Sequence, residues 1–197
     1  QAISDYYRRR FHVALDYNSE TLVTIGAKEG LTSLATAIST HENYIMVPNP
    51  SYPIHTFAFI IAKSRTISID NPSPEEFLKN LKHHVENSES KPAAVIVNFP
   101  CNPTTQTVSL KFYEELVEFC LRHKIYIISD LAYCEIYFGE ENRPHSILEV
   151  ENAKDIAIEF SSASKSYSMA GCRVGFAAGN KKLIEALRKI KSYLDYG

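Results

Sequence analysis

Lys165 lies in the part of this sequence that most strongly suggests chemistry, a run of hydroxyl-bearing and small residues from Ser161 to Ser168, and Arg173 follows a few positions later. A lysine that forms an imine with a phosphorylated aldehyde must attack as the neutral amine, so it needs a dry or cationic setting. The phosphate of such an aldehyde needs hydroxyl donors and a guanidinium group. The segment therefore predicts a nucleophilic lysine beside a phosphate site, whereas the plainer interpretation is a serine-rich loop before a strand.

Two more groups of candidate residues follow predicted strands. Gly26, Ala27 and Lys28 come after the first strand and open a helix, whose free N–H groups and partial positive charge suit a phosphate. Asp130 directly follows a later apolar strand, and its carboxylate could pair with a protonated pyridine nitrogen. Taken singly, these residues are more typical of an ordinary strand-to-helix turn and of a cap at a strand end.

These candidate residues share one feature, which is that each follows the end of a predicted strand. Asn102 follows another apolar strand, and Tyr133 lies just beyond Asp130. In a parallel sheet covered by helices, ligands bind at the carboxyl ends of the strands. Because Lys165 also follows a strand, all of these groups should lie on one edge of the sheet. This coincidence turns motifs that are weak individually into one candidate site.

The elements that must position these residues alternate between helices and strands. This alternation predicts an α/β protein with three layers, α-β-α, in which helices cover both faces of a mainly parallel sheet. We expect a single domain, because no repeat, low-complexity tract or linker interrupts the sequence. The predicted helices are 2–14, 27–39, 54–62, 74–87, 110–123 (capped by Ser109) and 180–196, and the predicted strands are 21–25, 44–47, 65–69, 93–97, 125–129, 155–160 and 173–178.

Composition and charge argue against several classes of protein. Of the 197 residues, 45% are hydrophobic and 22% charged, which is typical of a soluble globular domain. The net charge of −2 provides no basic surface to attract nucleic acid or an anionic membrane. No apolar run approaches the roughly 20 residues of a membrane span, and residues 1–10 do not resemble a signal peptide. We therefore expect a cytoplasmic protein that binds neither nucleic acid nor membranes.

The cysteines indicate neither a metal site nor a disulfide framework. Cys101, Cys120, Cys134 and Cys172 show neither a CxxC pair nor metal-ligand spacing. We expect free, mostly buried thiols in a reducing compartment, and we predict no metal site.

Six segments carry a resemblance to a known family. They are 24–30 (TIGAKEG), 47–53 (VPNPSYP), 98–104 (NFPCNPT), 129–133 (SDLAY), 161–175 (SSASKSYSMAGCRVG) and 190–197 (IKSYLDYG). In order and spacing they resemble the class I/II aminotransferases, pyridoxal-phosphate-dependent enzymes of fold type I, and most closely the bacterial alanine and LL-diaminopimelate aminotransferase branch. The resemblance implies that residues 1–197 form the large domain, which binds pyridoxal 5'-phosphate.

The resemblance also implies a role for each candidate in catalysis. Lys165 would form the internal aldimine and then shuttle the proton between the substrate α-carbon and the cofactor. Asp130 would bind the pyridine nitrogen. Tyr133 and Asn102 would hydrogen-bond the phenolic oxygen and tune the acidity of the imine. The enzyme would then transfer an amino group between an L-amino acid, of the alanine, glutamate or aspartate type, and a 2-oxo acid.

Other residues would hold the cofactor without taking part in the chemistry. Tyr52 would stack on the pyridine ring. The phosphate would be bound in the turn at Gly26, by the N–H groups of Ala27 and Lys28, and by the side chains of Ser162, Ser164 and Arg173. One departure from the family pattern is Thr105, which stands where many members have glycine, and we expect it to alter a turn rather than the chemistry.

The resemblance further implies parts that these 197 residues do not contain. An N-terminal arm, which lends a tyrosine to the partner subunit's phosphate site, should precede Gln1. A small domain with the arginine that grips the substrate α-carboxylate should follow Gly197. We therefore expect the chain to be a fragment that is inactive by itself and to belong to a homodimeric full-length enzyme.

Two other interpretations stay open. A carbon–sulfur lyase or a decarboxylase of the same fold shares the lysine and the aspartate, and only the substrate pocket separates these activities. The chain could also be a noncatalytic cofactor-binding fragment or a nucleotide-binding module. Against the latter, no GxGxxG motif follows the first strand and no GxxxxGK[ST] motif occurs.

Overall fold

A computed structural model describes residues 1–195, and within them seven strands form one sheet. The strands are β1 (Thr21–Thr24), β2 (Tyr44–Asn49), β3 (Arg65–Asp70), β4 (Ala94–Val97), β5 (Tyr126–Asp130), β6 (Ala157–Ser162) and β7 (Gly175–Gly179). Their order across the sheet is β1-β7-β6-β5-β4-β2-β3. The strands β2 to β6 run parallel, and β7 is antiparallel to both of its neighbours, β6 and β1. The predicted mainly parallel sheet is confirmed.

Helices connect the strands and cover the sheet. They are α1 (Ala2–Phe11), α2 (Ala27–Ile38), α3 (Ile54–Ile61), α4 (Pro74–Asn87), α5 (Leu110–His123), the single turn α6 (Ala163–Ser166) and α7 (Lys181–Leu194). Three of them begin at a side chain that accepts backbone N–H groups of the first turn: Ser73 for α4, Ser109 for α5 and Asn180 for α7. Such caps satisfy donors that have no partner inside the helix.

Apolar side chains on the two faces of the sheet form two separate cores. Successive residues of a strand point to opposite faces, so Ile127 joins the cluster that contains α1, α4 and α5, and Ile128 joins the cluster that contains α2, α3 and α7. All four residues of β4 are buried, as expected for a strand covered on both faces. The sheet is therefore the middle layer of three, as predicted.

Several predicted boundaries need correction. Helix α1 ends at Phe11 rather than at residue 14, because His12 takes a left-handed backbone conformation with a φ of 58°. Helix α7 ends at Leu194, and the predicted end at residue 196 lies outside the described residues. Strands β5 and β6 extend to Asp130 and Ser162, so these two residues end their strands instead of following them.

The four cysteines agree with the expectation from the sequence. Cys101, Cys120 and Cys134 are buried and Cys172 is exposed, and all four thiols are free, so the expectation of mostly buried free cysteines is confirmed. Among residues 1–195, no helix has the length and apolar character to cross a bilayer.

Glu159 on β6 is a carboxyl group buried inside the first core. It accepts hydrogen bonds from Tyr7 Oη (2.9 Å), Ser146 Oγ (2.6 Å), Ser129 Oγ (3.0 Å) and the Ile147 N–H (3.2 Å). Burial raises the pKa of Glu159 to about 7, although these donors act in the opposite direction. This carboxyl group joins α1, two strands and the loop before β6.

Because the pKa of Glu159 is higher in the folded than in the unfolded chain, the folded state binds more protons between these two values. The protonated Glu159 side chain therefore contributes stability that is fully present below the pKa of this group in the unfolded chain. This contribution is lost as the pH rises through about 7, the pKa in the folded chain. We expect Glu159→Gln to remove this loss, so that the free energy of unfolding falls less between about pH 5 and about pH 8, by on the order of 2 kcal/mol. Urea unfolding at both pH values measures it, with the exposed Glu185→Gln as control. Equal pH dependence in all three proteins would contradict the assignment.

Candidate functional site

A cavity of about 320 Å³ lies at the carboxyl edge of the sheet. It is lined by all the predicted site residues except Gly26, namely Ala27, Lys28, Tyr52, Asn102, Asp130, Tyr133, Ser162, Ser164, Lys165 and Arg173. Leu31, Ile54, Ala132 and Ala170 complete the lining. The structure therefore brings together residues that span most of the sequence.

The antiparallel strand β7 explains how Arg173 reaches this cavity. Ser162, the last residue of β6, pairs with Gly175, the first residue of β7, so the start of β7 lies beside the end of β6. Arg173 was predicted to be in a strand, but it precedes β7 with a left-handed φ of 53°. Its guanidinium group donates to Ser164 Oγ (3.3 Å) and to the Ala170 carbonyl (3.2 Å).

The carboxylate of Asp130 is fixed from both sides at the end of β5. Its Oδ1 accepts the Ala132 N–H (3.2 Å), and its Oδ2 lies 2.9 Å from Nε2 of the fully buried His55. The Asn98 side-chain amide donates to the Asp130 carbonyl (2.9 Å). A carboxylate oxygen can accept more than one hydrogen bond, so Asp130 keeps acceptor capacity for a donor in the cavity.

His55 is the main functional residue that the sequence analysis missed. It lies on the mostly apolar helix α3, its Nε2 contacts Asp130, and its Nδ1 contacts Ser51 Oγ. A single histidine in an apolar helix one turn after Ser51 is the signal that could have revealed it. The contact places an imidazole directly behind the carboxylate and so orients it.

The N–H groups at the start of helix α2 lie beside Gly26, Ser164 and Arg173 and could hold an anion, and we call this group the anion cradle. Gly26 has a φ of 80°, which glycine adopts without strain, and α2 begins at the next residue. A Cβ at Gly26 would lie 2.4 Å from Nη2 of Arg173, so the guanidinium group rests directly on the glycine. The N–H groups of the first turn have no partner inside the helix, and with Arg173 and Ser164 they form a donor set suited to a phosphate.

Lys165 lies on α6, and its Nζ is 5.5 Å from the centre of the Tyr133 ring. The expectation of a dry setting is wrong for the chain described, because Lys165 is exposed, as are Lys28 and Arg173 at the same cavity. The reason is that α6 and the turn after it form the rim of the cavity. The other expected setting, a cationic one, would come from Lys28 and Arg173, which line the same cavity.

Asn102 and Tyr133 are neighbours in the lining of the cavity, and the Asn102 side-chain amide donates to Tyr133 Oη (3.3 Å). The Asn102 N–H donates in turn to Asn98 Oδ1 (2.9 Å). Thr105, which replaces a glycine of the family pattern, has a left-handed φ of 61°. The turn therefore keeps the backbone conformation that glycine favours, and Thr105 lines not this cavity but a neighbouring one of about 660 Å³.

Helix α1 supports the segment that carries Tyr133, a role that the sequence did not reveal. Glu135 accepts hydrogen bonds from Tyr6 Oη (2.5 Å) and Arg10 Nε (3.0 Å). Arg10 also donates to the carbonyls of Cys134 and Pro144, both at 3.1 Å. These contacts hold the two ends of the loop after β5.

Gly175 keeps the start of β7 in close contact with the anion cradle. A Cβ at this position would lie 2.6 Å from the Ala27 nitrogen and 2.6 Å from the Gly26 carbonyl carbon. We expect Gly175→Ala to displace the cradle and to weaken inorganic phosphate binding by about tenfold, since overpacking of this kind costs about 1–3 kcal/mol. Calorimetric titration with phosphate measures it. Gly171→Ala is the matched control, because no atom lies within 4 Å of a Cβ there; equal affinities in the two variants would contradict this reasoning.

The mostly parallel seven-stranded sheet, covered by helices on both faces, has the three-layer fold of the fold-type I transferases. The chain belongs to the family of class I and II aminotransferases, whose family model matches residues 1–194.

Relatives of known name match the whole chain, and two of them illustrate the similarity. It is 44% identical to the glutamate-pyruvate aminotransferase AlaC of Escherichia coli (strain K12) and covers 48% of that protein. It is 40% identical to an LL-diaminopimelate aminotransferase of Aquifex aeolicus (strain VF5) and covers 51% of it. The chain thus spans about half the length of these relatives. These matches confirm the predicted branch of the family.

The fold agrees with a solved structure as well. An aminotransferase from Staphylococcus aureus superposes with a TM-score of 0.88 at 32% identity. The match covers the whole of this chain and 52% of that one. The predicted fold class is therefore confirmed.

Proposed function

We propose that this chain binds pyridoxal 5'-phosphate and takes part in transferring an amino group between an L-amino acid and a 2-oxo acid. The observation that supports this proposal most is the convergence of three groups on one cavity. They are the amine of Lys165, the carboxylate of Asp130 and the anion cradle at the start of α2.

The chemistry of the donor set fits this cofactor. The phosphate would be held by the cradle residues together with Ser162, Ser164 and Arg173. Asp130, which His55 orients from behind, would face the ring nitrogen. Tyr52, about one-third exposed at the mouth of the cavity, would cover the ring. Asn102 and Tyr133 would donate to the phenolic oxygen.

When bound, pyridoxal phosphate supplies an electron sink for the bond that breaks at the substrate α-carbon. Lys165 would hold the cofactor through its Nζ and then carry the proton removed from that carbon. Asp130 would keep the ring nitrogen protonated by pairing with its charge. Tyr133 would steady the position of Nζ, since its ring already contacts this amine in the chain described.

The relatives suggest the substrates and partners. Because the two relatives are named for glutamate, pyruvate and LL-diaminopimelate, we propose an amino donor of the L-amino-acid type and a 2-oxo-acid acceptor. A larger cavity of about 660 Å³ shares Asn102 and Tyr133 with the first and includes the apolar Ile136 and Phe138. It offers room for a substrate beside Tyr133.

We further propose that the enzyme is a homodimer and that it acts in the cytoplasm.

A lysine-specific label tests the proposal. Incubation with pyridoxal phosphate and reduction with borohydride should leave the cofactor attached to Lys165, which peptide mapping by mass spectrometry identifies. Lys165→Ala should remove the label, and Lys28→Ala should retain it as the control from the same cavity. A label on Lys28 or on Lys181 would contradict the assignment. In a form of the protein that has activity, analysis of the products then separates amino transfer from carbon–sulfur cleavage or decarboxylation by the same cofactor.

A further inference from the structure

Lys191 is a buried lysine on α7, at a distance in sequence from every residue of the candidate site. Only 8% of its side chain is exposed. Its Nζ lies 2.9 Å from Glu29 Oε2 and also contacts the carboxylate of Asp195. Because lysine is almost never buried without a partner, a strong interaction must hold this one in place.

Glu29, the partner of Lys191, lies beside the anion cradle. It lies in the first turn of α2, directly after Lys28. Its Oε2 accepts the Ile25 N–H at 2.7 Å, and its Oε1 accepts Ser33 Oγ at 2.7 Å. Glu29 therefore fixes the backbone immediately before Gly26, while the N–H groups that begin α2 remain available to an anion.

This arrangement creates an electrostatic conflict. A carboxylate in the first turn stabilises a helix, because it lies near the positive end of the helix dipole. The same carboxylate repels a dianion that binds at that helix start, and the repulsion is strong where little water screens it. Glu29 is half-buried, so screening by water is incomplete. A cation beside Glu29 would remove the conflict.

We propose that Lys191 is a positioning residue of the phosphate site, which offsets the charge of Glu29 so that this carboxylate can shape the cradle while repelling the phosphate less. The inference rests on the proposed function, since the anion is taken to be the phosphate of the cofactor. Lys191 does not line the cavity, and its ion pair with Glu29 connects it to the start of α2.

The test compares ligands with and without a phosphate in a Lys165→Ala background, where no covalent bond contributes. Inorganic phosphate, pyridoxal phosphate and pyridoxal are titrated by calorimetry. We expect Lys191→Met to weaken both phosphate-bearing ligands by about tenfold, equivalent to about 1.4 kcal/mol, and to leave pyridoxal unchanged. Lys191→Arg should bind all three normally. Lys189→Met makes the same chemical change at an exposed position of α7 and should have no effect.

A double substitution separates charge from structure. In Glu29→Gln/Lys191→Met, one negative and one positive charge are removed together, so the net charge of the cluster of Glu29, Lys191 and Asp195 is unchanged. The affinity for phosphate should therefore recover to within about threefold of that of the unsubstituted cluster. A double variant as weak as Lys191→Met would overturn the proposal, as would equal losses for pyridoxal and pyridoxal phosphate.

A single substitution keeps the proposal testable if Lys191→Met fails to fold. Glu29→Gln alone should raise the affinity ratio of pyridoxal phosphate to pyridoxal, because Lys191 then acts without a carboxylate beside the cradle. An unchanged or lower ratio would overturn the proposal.

The failure of this proposal can be distinguished from the failure of the proposed function. If borohydride labelling misses Lys165 while inorganic phosphate binding follows the expected pattern, the proposed function fails but the role of Lys191 stands. If Lys165 is labelled without that pattern, only the role of Lys191 fails.

Discussion

Replacing Asp130 with asparagine should slow removal of the substrate α-proton by several orders of magnitude while cofactor binding persists. The carboxylate is held by His55 and by the Ala132 N–H, so its position is fixed before any ligand arrives. An amide in its place cannot balance the charge of a protonated ring nitrogen. Because each 1.4 kcal/mol of lost transition-state stabilisation slows a step about tenfold, a loss of a few kcal/mol is enough.

Exchange of the α-proton of L-alanine with deuterated solvent, followed by NMR in a form of the protein that has activity, measures this step directly. Borohydride labelling of Lys165 in the same variant shows that the cofactor still binds. Asp155→Asn is the matched control. It makes the same change at an exposed residue just before the start of β6, at the edge of the sheet opposite to the cavity. Near-normal exchange in Asp130→Asn would contradict the role assigned to this carboxylate.

The placement of these residues at one sheet edge could be predicted from sequence because it depends on strand order alone. Parallel strands that alternate with helices put their carboxyl ends together, and residues that follow those ends must meet. That rule placed Asp130, Tyr133, Asn102 and Lys165 correctly. Arg173 needed more, since it reaches the same edge only because β7 runs antiparallel to β6. Nothing in the local pattern of β7 indicates its direction.

The residues that the sequence analysis missed act through long-range contacts. His55 and Asp130 are 75 positions apart, and Tyr7 and Glu159 are 152 positions apart. In the sequence, a buried polar residue cannot be distinguished from an exposed one until its partner is known. A search for apolar residues at helical or strand spacing therefore treats it as an interruption of the pattern. Lys191 illustrates the same point, because helical spacing alone does not distinguish it from the exposed Lys189. Supporting residues of this kind become visible only when the fold is known.

The 197-residue chain by itself should bind pyridoxal phosphate weakly and should not transfer amino groups at a useful rate. Most of the proposed ring and phosphate contacts are present in it, so binding should survive. Catalysis also requires that the substrate be held with its α-carbon bond perpendicular to the ring, and correct orientation can account for roughly 7–11 kcal/mol of a barrier. The chain spans about half the length of the relatives it matches, and we expect the arginine that grips the substrate carboxylate to belong to the other half.

The exposure of the site points in the same direction. Lys28, Lys165 and Arg173 are all open to solvent in the chain described, and water weakens each charge interaction that they make. A single-turnover experiment with L-alanine tests this expectation, with absorbance reporting conversion of the bound cofactor to its amine form and Lys165→Ala setting the background. Rapid conversion by the unsubstituted chain would show that residues 1–197 already anchor the substrate. The search for the carboxylate-binding group would then turn to the cavity beside Tyr133.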